Sequence, residues 1–191
     1  YPLSLHAALP ISASLAAFFN RSFCEGTFPA AWKDALVIPI FKKGDRHSPG
    51  NYRPIALLSV VSKVMEKIVH ARLSNFLSPY LSDSQSGFKK HDSTTLQLTR
   101  LVQQWSEAID QSSYVGAVFF NLRKAFDRVW HRGLLAKLER AGVCGSALSW
   151  FTSYLLNRRQ VVSVNGVLSD YVFLQAGVPQ GAILRDRKSV V

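Results

Sequence analysis

The pattern of apolar and polar residues predicts a chain in which helices and strands alternate. An unbroken apolar run at residues 115–120 is too short for a helix and rich in β-branched and aromatic residues, which predicts a central strand buried on both faces. The polar Asn121 ends this run, and apolar residues then recur at helical spacing as far as Trp130. A polar side chain between a buried strand and a helix is a common location for the chemistry of α/β proteins. Asn is also a frequent helix N-cap, so the pattern alone leaves both interpretations open.

Similar patterns predict the other elements. The strongest helical periodicity covers residues 56–77, and the apolar run at 35–41 predicts a strand that Pro39 confines to an edge or a bulge. The pair Asn165-Gly166 favours a type I′ turn and predicts a hairpin over residues 161–174. Further helices are predicted for residues 13–24, 93–109, 134–141 and 147–156.

Composition narrows the class of protein. The chain of 191 residues is 48% hydrophobic, which is typical of a folded globular domain, and no apolar run approaches the length of a membrane span. Its net charge of +11 favours a polyanionic partner, although ribosomal, membrane-surface and heparin-binding proteins share this property. Cys24 and Cys144 lack the spacing of a metal site, which indicates two reduced thiols.

The two ends of the chain differ in character from the middle. Residues 1–12 closely resemble the translation of a short-read sequencing adapter, and residues 185–191 look like the same kind of sequence. A signal peptide is the rival interpretation of the start, but a basic first segment is lacking and Pro10 interrupts the apolar stretch. We therefore expect both ends to pack poorly, and residues 13–184 to be the native part of a longer protein.

Four motifs follow one another along residues 13–184. They are N-Y-R-P-I-A-L-L from Asn51, Q-S-G-F-K-K from Gln85, N-L-R-K-A-F-D-R-V-W-H from Asn121 and G-V-P-Q-G-A-I-L from Gly177. Each motif is common alone, but in this order the chain resembles the reverse transcriptases encoded by non-LTR (LINE-type) retrotransposons. The resemblance implies an α+β right-hand polymerase fold, with residues 13–110 as a fingers-like region and 111–184 as a partial palm. It also implies truncation before the Asp-Asp hairpin of that family.

The resemblance implies roles for individual residues. Asn121 stands where the family carries a Mg²⁺-binding Asp, and Asp127 matches a second acidic position of the catalytic motif. Phe126 matches the aromatic residue that lies under the incoming sugar and excludes a 2′-hydroxyl group. The other implied nucleotide-binding residues are Arg53, Lys63, Gly177, Pro179, Gln180 and Gly181, and the implied template-binding residues are Lys89 and Lys90.

The implied function is that of a fragment of an RNA-directed DNA polymerase, a nucleotidyltransferase. The intact family uses Mg²⁺, an RNA template, a DNA primer and deoxynucleoside triphosphates; neither a membrane nor an obligate protein partner is indicated. Because Asn121 replaces the metal Asp and the Asp-Asp motif is missing, we expect this chain to bind no metal and to be inactive. The alternative is a non-catalytic, nucleic-acid-binding remnant of a decayed element. An unrelated small RNA-binding domain would require the four ordered motifs to be coincidental.

Overall fold

The described part of the chain is a mixed α/β domain with helices packed beside a small sheet. The computed structural model describes residues 5–87, 92–122 and 124–186. The helices are α1 (Leu5–Cys24), α2 (Val60–Leu77), α3 (Thr94–Asp110), α4 (His131–Arg140), α5 (Gly145–Leu155) and the short α6 (Ile183–Asp186). The strands are β1 (Asp34–Phe41), β2 (Tyr52–Leu57), β3 (Arg159–Val164), β4 (Val167–Leu168) and β5 (Val172–Phe173). Within these ranges no helix is long and apolar enough to cross a membrane.

The sheet is built around the paired strands β1 and β3. β1 pairs antiparallel with the whole of β2 through residues 36–41, and parallel with β3 through its first half, residues 34–37. β1 lies between β2 and β3 and pairs with β2 in an unbroken register, so the edge or bulge that Pro39 predicts is wrong. The sheet accommodates this proline because Pro39 lies in the half of β1 that β3 does not pair, where the missing N–H removes no bond to β3. β3 pairs antiparallel with β5 near its start and with β4 at its end.

The main hydrophobic core lies between the helices. Trp150 of α5 is completely buried and packs its ring against those of Phe28 and Tyr154, and its Nε1 donates to Ser22 Oγ at 3.2 Å. Residues of α1, α2 and α4 complete this core, including Phe19, Met65, Val69 and Leu138. A second, smaller cluster of Ala35, Val37, Ala56, Leu58 and Ala182 lies against the sheet.

The predicted central strand at residues 115–120 is wrong. This segment is neither strand nor helix, and it is exposed, with 77% of Val118 and 89% of Phe120 accessible to solvent. A strand requires a neighbour to pair its backbone groups, and no described strand pairs with these residues. Apolar and β-branched composition favours a strand only where neighbouring strands supply a surface to pack on.

The helix predicted directly after Asn121 is also wrong. Residues 124–128 form successive turns in which Asp127 N donates to Lys124 O at 3.0 Å, and α4 begins only at His131. The backbone of Lys124 has φ of 52°, which ends any helical path at this point. The apolar spacing seen in the sequence here does not form one buried face, because Val129 is buried whereas Leu122 and Trp130 are exposed.

Helix α2 is confirmed, but its start and its buried face differ from the prediction. Residues 52–57 form β2, and Ser59 caps the helix by accepting a bond from Ser62 N. The buried face includes the polar residues Ser62, Glu66 and His70. The periodicity of residues 56–77 predicts instead a buried apolar stripe, and several of its members are exposed: Val61, Val64, Ile68 and Phe76. Glu66 faces inward because its carboxylate has partners there, which are described below.

Two locally encoded predictions are confirmed. Asn165 and Gly166 have φ of 50° and 81°, the left-handed pair that a type I′ turn requires, and they connect β3 to β4. The returning strand of this hairpin is broken into β4 and β5. The predicted helix at 93–109 is α3, whose Ser93 side chain accepts a bond from Leu96 N, although none of its described residues is buried.

Candidate functional site

The loop that carries Gln180 is held against two distant parts of the chain. We call residues 177–181 the Gln180 loop. Its start is fixed by bonds from Gly177 N to Val129 O at 2.9 Å and from Val178 N to Phe126 O at 3.0 Å. Its end is fixed by a bond from Ala56 N to Gln180 O at 2.7 Å. The loop therefore bridges the turn after Asn121 and the end of β2.

The two glycines of this loop permit its close contacts. Gly177 has φ of 84°, and a Cβ there would lie 2.8 Å from the backbone oxygen of Asp127. Gly181 has φ of 151°, and a Cβ there would lie only 2.3 Å from the backbone oxygen of Ala56. No other residue fits either position without moving the backbone. The family resemblance implies that these two glycines contact a nucleotide, whereas the close neighbours described here are backbone atoms of Asp127 and Ala56.

The side chains of Gln180 and Asp127 meet across the loop. Gln180 Nε2 donates to Asp127 Oδ1 at 3.0 Å, although the two residues lie far apart in the sequence. Buried His131, the first residue of α4, places its Nε2 2.7 Å from Gly177 O and holds the same loop from the other side. Residues of two of the predicted motifs are thus joined at one location.

A cleft of about 260 Å³ opens beside this junction. Asp127, Gln180, Gly177 and Pro179 line one side of it, and residues of β1 and β2 line the other. Phe126 lines a second, larger and mostly apolar cavity of about 530 Å³, together with Val178 of the same loop. Phe126 and Asp127 are neighbours in the chain but line different cavities, whereas Val178 lines both.

Asn121 does not take part in this arrangement. It is exposed, it lines neither cavity, and no described hydrogen bond joins it to the Gln180 loop. The family resemblance also predicts that Asn121 and Gln180 approach a common cleft, and this stays a prediction.

The donors near this point do not fit a pair of metal ions. Asn121 offers a neutral amide oxygen, and one oxygen of the Asp127 carboxylate is already engaged by Gln180. Two-metal centres require several anionic oxygens. The part of the chain that the structure describes contains no group of three His, Cys, Asp or Glu side chains suited to a metal ion.

The predicted cationic residues occupy different positions. Arg53 is exposed on β2, opposite Ile40 of β1, in the hairpin arm formed by these two strands. Lys63 is partly exposed in the first turn of α2. Lys89 and Lys90 lie outside the described residues.

Both cysteines, Cys24 and Cys144, are exposed and free.

A buried polar cluster behind the loop was missed by the sequence analysis. Glu66 is completely buried, and its Oε2 accepts bonds from Ile183 N at 2.7 Å and Leu184 N at 3.4 Å. Burial raises the pKa of Glu66, while the two backbone N–H groups and the nearby Arg158 oppose this effect. Burial also raises the pKa of Tyr154, and the neighbouring Glu66 carboxylate raises it further. The available signal was the spacing of Ser62, Glu66 and His70, which places three polar residues on one face of the helix.

Comparison with known proteins identifies the class to which this fold and loop belong. Residues 40–184 match the family described as reverse transcriptase (RNA-dependent DNA polymerase), and the chain belongs to this family. This confirms the resemblance indicated by the four motifs.

Its relatives are proteins of non-LTR retrotransposons. The chain is 38% identical over 182 residues to the probable RNA-directed DNA polymerase from transposon BS of Drosophila melanogaster, covering 93% of this chain and 20% of that protein. It is 38% identical over 173 residues to the RNA-directed DNA polymerase from mobile element jockey of the same species, covering 89% and 19%. It is 27% identical over 165 residues to the Pol polyprotein from type-1 retrotransposable element R2 of Popillia japonica, covering 86% and 23%. The chain thus spans about a fifth of the length of these relatives.

Proposed function

We propose that this chain is the fingers region and first part of the palm of a right-hand polymerase whose parent protein copies an RNA template into DNA. The observation that carries this proposal is the junction of Asp127 and Gln180, two motif residues 53 positions apart that are joined by a hydrogen bond at 3.0 Å. The proposal adds roles for individual residues to the family membership shown above. Template, primer and deoxynucleoside triphosphates are the partners that these roles require.

The cleft beside Gln180 is the proposed contact surface for the nascent base pair. The glycine-lined backbone of the Gln180 loop presents little side-chain bulk, and the Gln180 amide can form hydrogen bonds without adding charge. Pro179, which precedes Gln180, is buried and limits the conformations of the loop. Phe126, on the adjoining turn, is the proposed steric barrier to a ribonucleotide.

The cations of the hairpin arm are the proposed contacts to phosphate. Lys42, Lys43, Arg46 and Arg53 are exposed there, and Arg46 lies over the ring of Phe41 with 5.1 Å between its Cζ and the ring centroid. Long cationic side chains at the surface can reach phosphate oxygens without the cost of burying charge. Lys89 and Lys90 are proposed to extend this contact along the template.

We propose further that the chain as it stands binds nucleic acid but does not synthesise DNA. The transition state of nucleotide addition carries negative charge on the transferred phosphate and both flanking oxygens, which the intact family neutralises with Mg²⁺ held by carboxylates. Asn121 supplies no negative charge, and the Asp127 carboxylate is shared with Gln180. We therefore assign no catalytic step to the described residues.

Primer extension on an RNA template with Mg²⁺ tests the absence of synthesis. We expect neither the 191-residue chain nor its Asn121→Asp variant to incorporate deoxynucleotides above a no-enzyme control, because one restored carboxylate does not complete the centre. Template-dependent incorporation by the unaltered chain would contradict this proposal. It would also point to Asp127 as a metal ligand. Loss of that incorporation in the Asp127→Asn variant would identify Asp127 as the ligand.

Salt-dependent binding tests the nucleic-acid surface. We expect the affinity for an RNA–DNA hybrid, measured by fluorescence anisotropy, to fall steeply as salt concentration rises. Replacing Lys89 and Lys90 together by Ala should reduce the slope of log affinity against log salt by about 1.5. Replacing Lys137 and Arg140 of α4 by Ala removes the same charge and serves as the control. An equal change in both double variants would show that binding depends on net charge and not on the proposed surface.

A further inference from the structure

The buried Glu66 carboxylate lies at the point where the Gln180 loop ends. Its Oε2 accepts bonds from Ile183 N at 2.7 Å and Leu184 N at 3.4 Å, the first two residues of α6. Ala182, between the loop and α6, is completely buried against Ala56 and its neighbours. The backbone on the C-terminal side of Gln180 is therefore fixed by a side chain of α2.

Helix α2 is a rigid support for this contact. Met65 and Val69, which flank Glu66 on the helix, are both buried in the main core. The carboxylate therefore connects the core to the chain just after the loop, while Ala56 N holds the loop near its end and His131 holds its start. With the Glu66 contact broken, the described contacts left to the chain after Gln180 would be the packing of Ala182 and Leu184 and two local bonds to Pro179 O, from Gly181 N and Ala182 N.

Stability alone does not account for a carboxylate at this position. Burying a charged group is costly unless it is fully paired, and Glu66 Oε1 forms no hydrogen bond of normal geometry. The buried hydroxyl of Tyr154 interacts with the Glu66 carboxylate, but it too lacks a hydrogen bond of normal geometry, as does Arg158 Nε. An apolar residue of similar volume would remove the cost of burying the charge, but it could not hold the N–H groups of Ile183 and Leu184.

We propose that Glu66 is a positioning residue that sets the geometry of the Gln180 loop through the backbone N–H groups of Ile183 and Leu184, and thereby orients the Gln180 amide toward Asp127. Its consequence for nucleotide contact rests on the function proposed above. The effect on the loop itself does not, because it can be measured in the free chain.

Amide exchange and NMR of the full chain test the proposal directly. In Glu66→Gln, which keeps the size but loses the charge, the amides of Ile183 and Leu184 should exchange about tenfold faster. The side-chain amide resonance of Gln180 should shift toward its position in Asp127→Ala, because the bond to Asp127 is weakened. Ser62→Ala is the matched control, since Ser62 is buried on the same face of α2 and its Oγ donates to Ser59 O. This control should destabilise the helix without either effect.

Unchanged exchange and an unchanged Gln180 resonance in Glu66→Gln would overturn the proposal, as would equal changes in Ser62→Ala. If Glu66→Gln does not fold, the unaltered chain provides the test. The amide shifts of Ile183 and Leu184 should then follow the titration of the Glu66 carboxyl carbon, and independent movement would overturn the proposal. If the unaltered chain fails to bind nucleic acid while these amide results hold, the proposed function fails and the positioning role of Glu66 stands.

Discussion

Replacing Gly181 by Ala should destabilise the domain through one identifiable contact. The added Cβ would lie 2.3 Å from the backbone oxygen of Ala56, whereas ordinary contacts of this kind begin near 3.4 Å. The loop must therefore move by roughly 1 Å, since a backbone carbonyl in a paired strand cannot rotate away. Such a shift pulls Gln180 O away from Ala56 N, and it thereby weakens the 2.7 Å hydrogen bond that Ala56 N donates to Gln180 O.

The expected loss follows from two contributions. A residue other than Gly at φ of 151° adopts a strained backbone that costs about 1–3 kcal/mol. Loss of the hydrogen bond to Ala56 adds about 1 kcal/mol. We expect Gly181→Ala to lower the free energy of unfolding by about 2–4 kcal/mol, a large part of the 5–15 kcal/mol that is typical of a domain.

Urea unfolding followed by tryptophan fluorescence measures this loss, and two glycines provide controls. Gly166 also has positive φ, at 81°, but a Cβ there would meet nothing within 4 Å, so Gly166→Ala should show the backbone strain without the clash. Gly116 lies in open space without positive φ, so Gly116→Ala should change stability by less than about 0.5 kcal/mol. Equal losses in Gly181→Ala and Gly166→Ala would refute the contact with Ala56, and a loss below about 0.5 kcal/mol at Gly181 would refute the docking of the loop.

Further predictions concern the core and the buried carboxyl group. Trp150→Ala should lower the free energy of unfolding by about 3–5 kcal/mol in urea unfolding, because it empties a completely buried site. Trp130→Ala, at a residue 69% exposed, should lower it by less than about 0.5 kcal/mol. Similar losses in the two variants would contradict the described core. Because burial raises the pKa of Glu66, the folded chain holds a proton that the unfolded chain releases at about pH 4.3. The free energy of unfolding should therefore fall as pH rises from that value through the pKa of Glu66 in the folded chain. Glu66→Gln should flatten this part of the plot of stability against pH. An unaltered plot in the variant would show that another group causes the fall.

Features encoded over a few neighbouring residues were predicted correctly from the sequence. Asn165 and Gly166 specify their turn because both tolerate positive φ, and Ser93 marks the start of α3 because its side chain can bond the backbone of the first turn. The assignment to the reverse transcriptase family depended on ordered short motifs and was also correct. For the turn and the helix start the information lies within a short stretch of chain, whereas the family assignment needed the order of four such stretches.

Features that depend on distant partners were predicted less well. Residues 115–120 have the composition of a buried strand, but pairing is decided by which strands lie alongside, and none of the described strands does. The buried face of α2 was misassigned because the inward position of Glu66 depends on Ile183 and Leu184, more than a hundred residues away. Periodicity detects where apolar residues cluster, but it contains no information about a buried polar partner.

The same distinction bears on what this chain can do. The Gln180 loop is held by contacts that the described residues complete among themselves: Val129, Phe126 and Ala56 on the backbone, and Glu66 and His131 through side chains. Asn121 lies in an exposed segment that has no described strand beside it. A position that must hold an ion within a fraction of an ångström requires rigid neighbours as well as the correct side chain. Restoring a carboxylate at residue 121 would therefore supply the negative charge but would not fix its position. This is a second reason, besides the missing charge of Asn121, to expect that the chain binds nucleic acid without synthesising DNA.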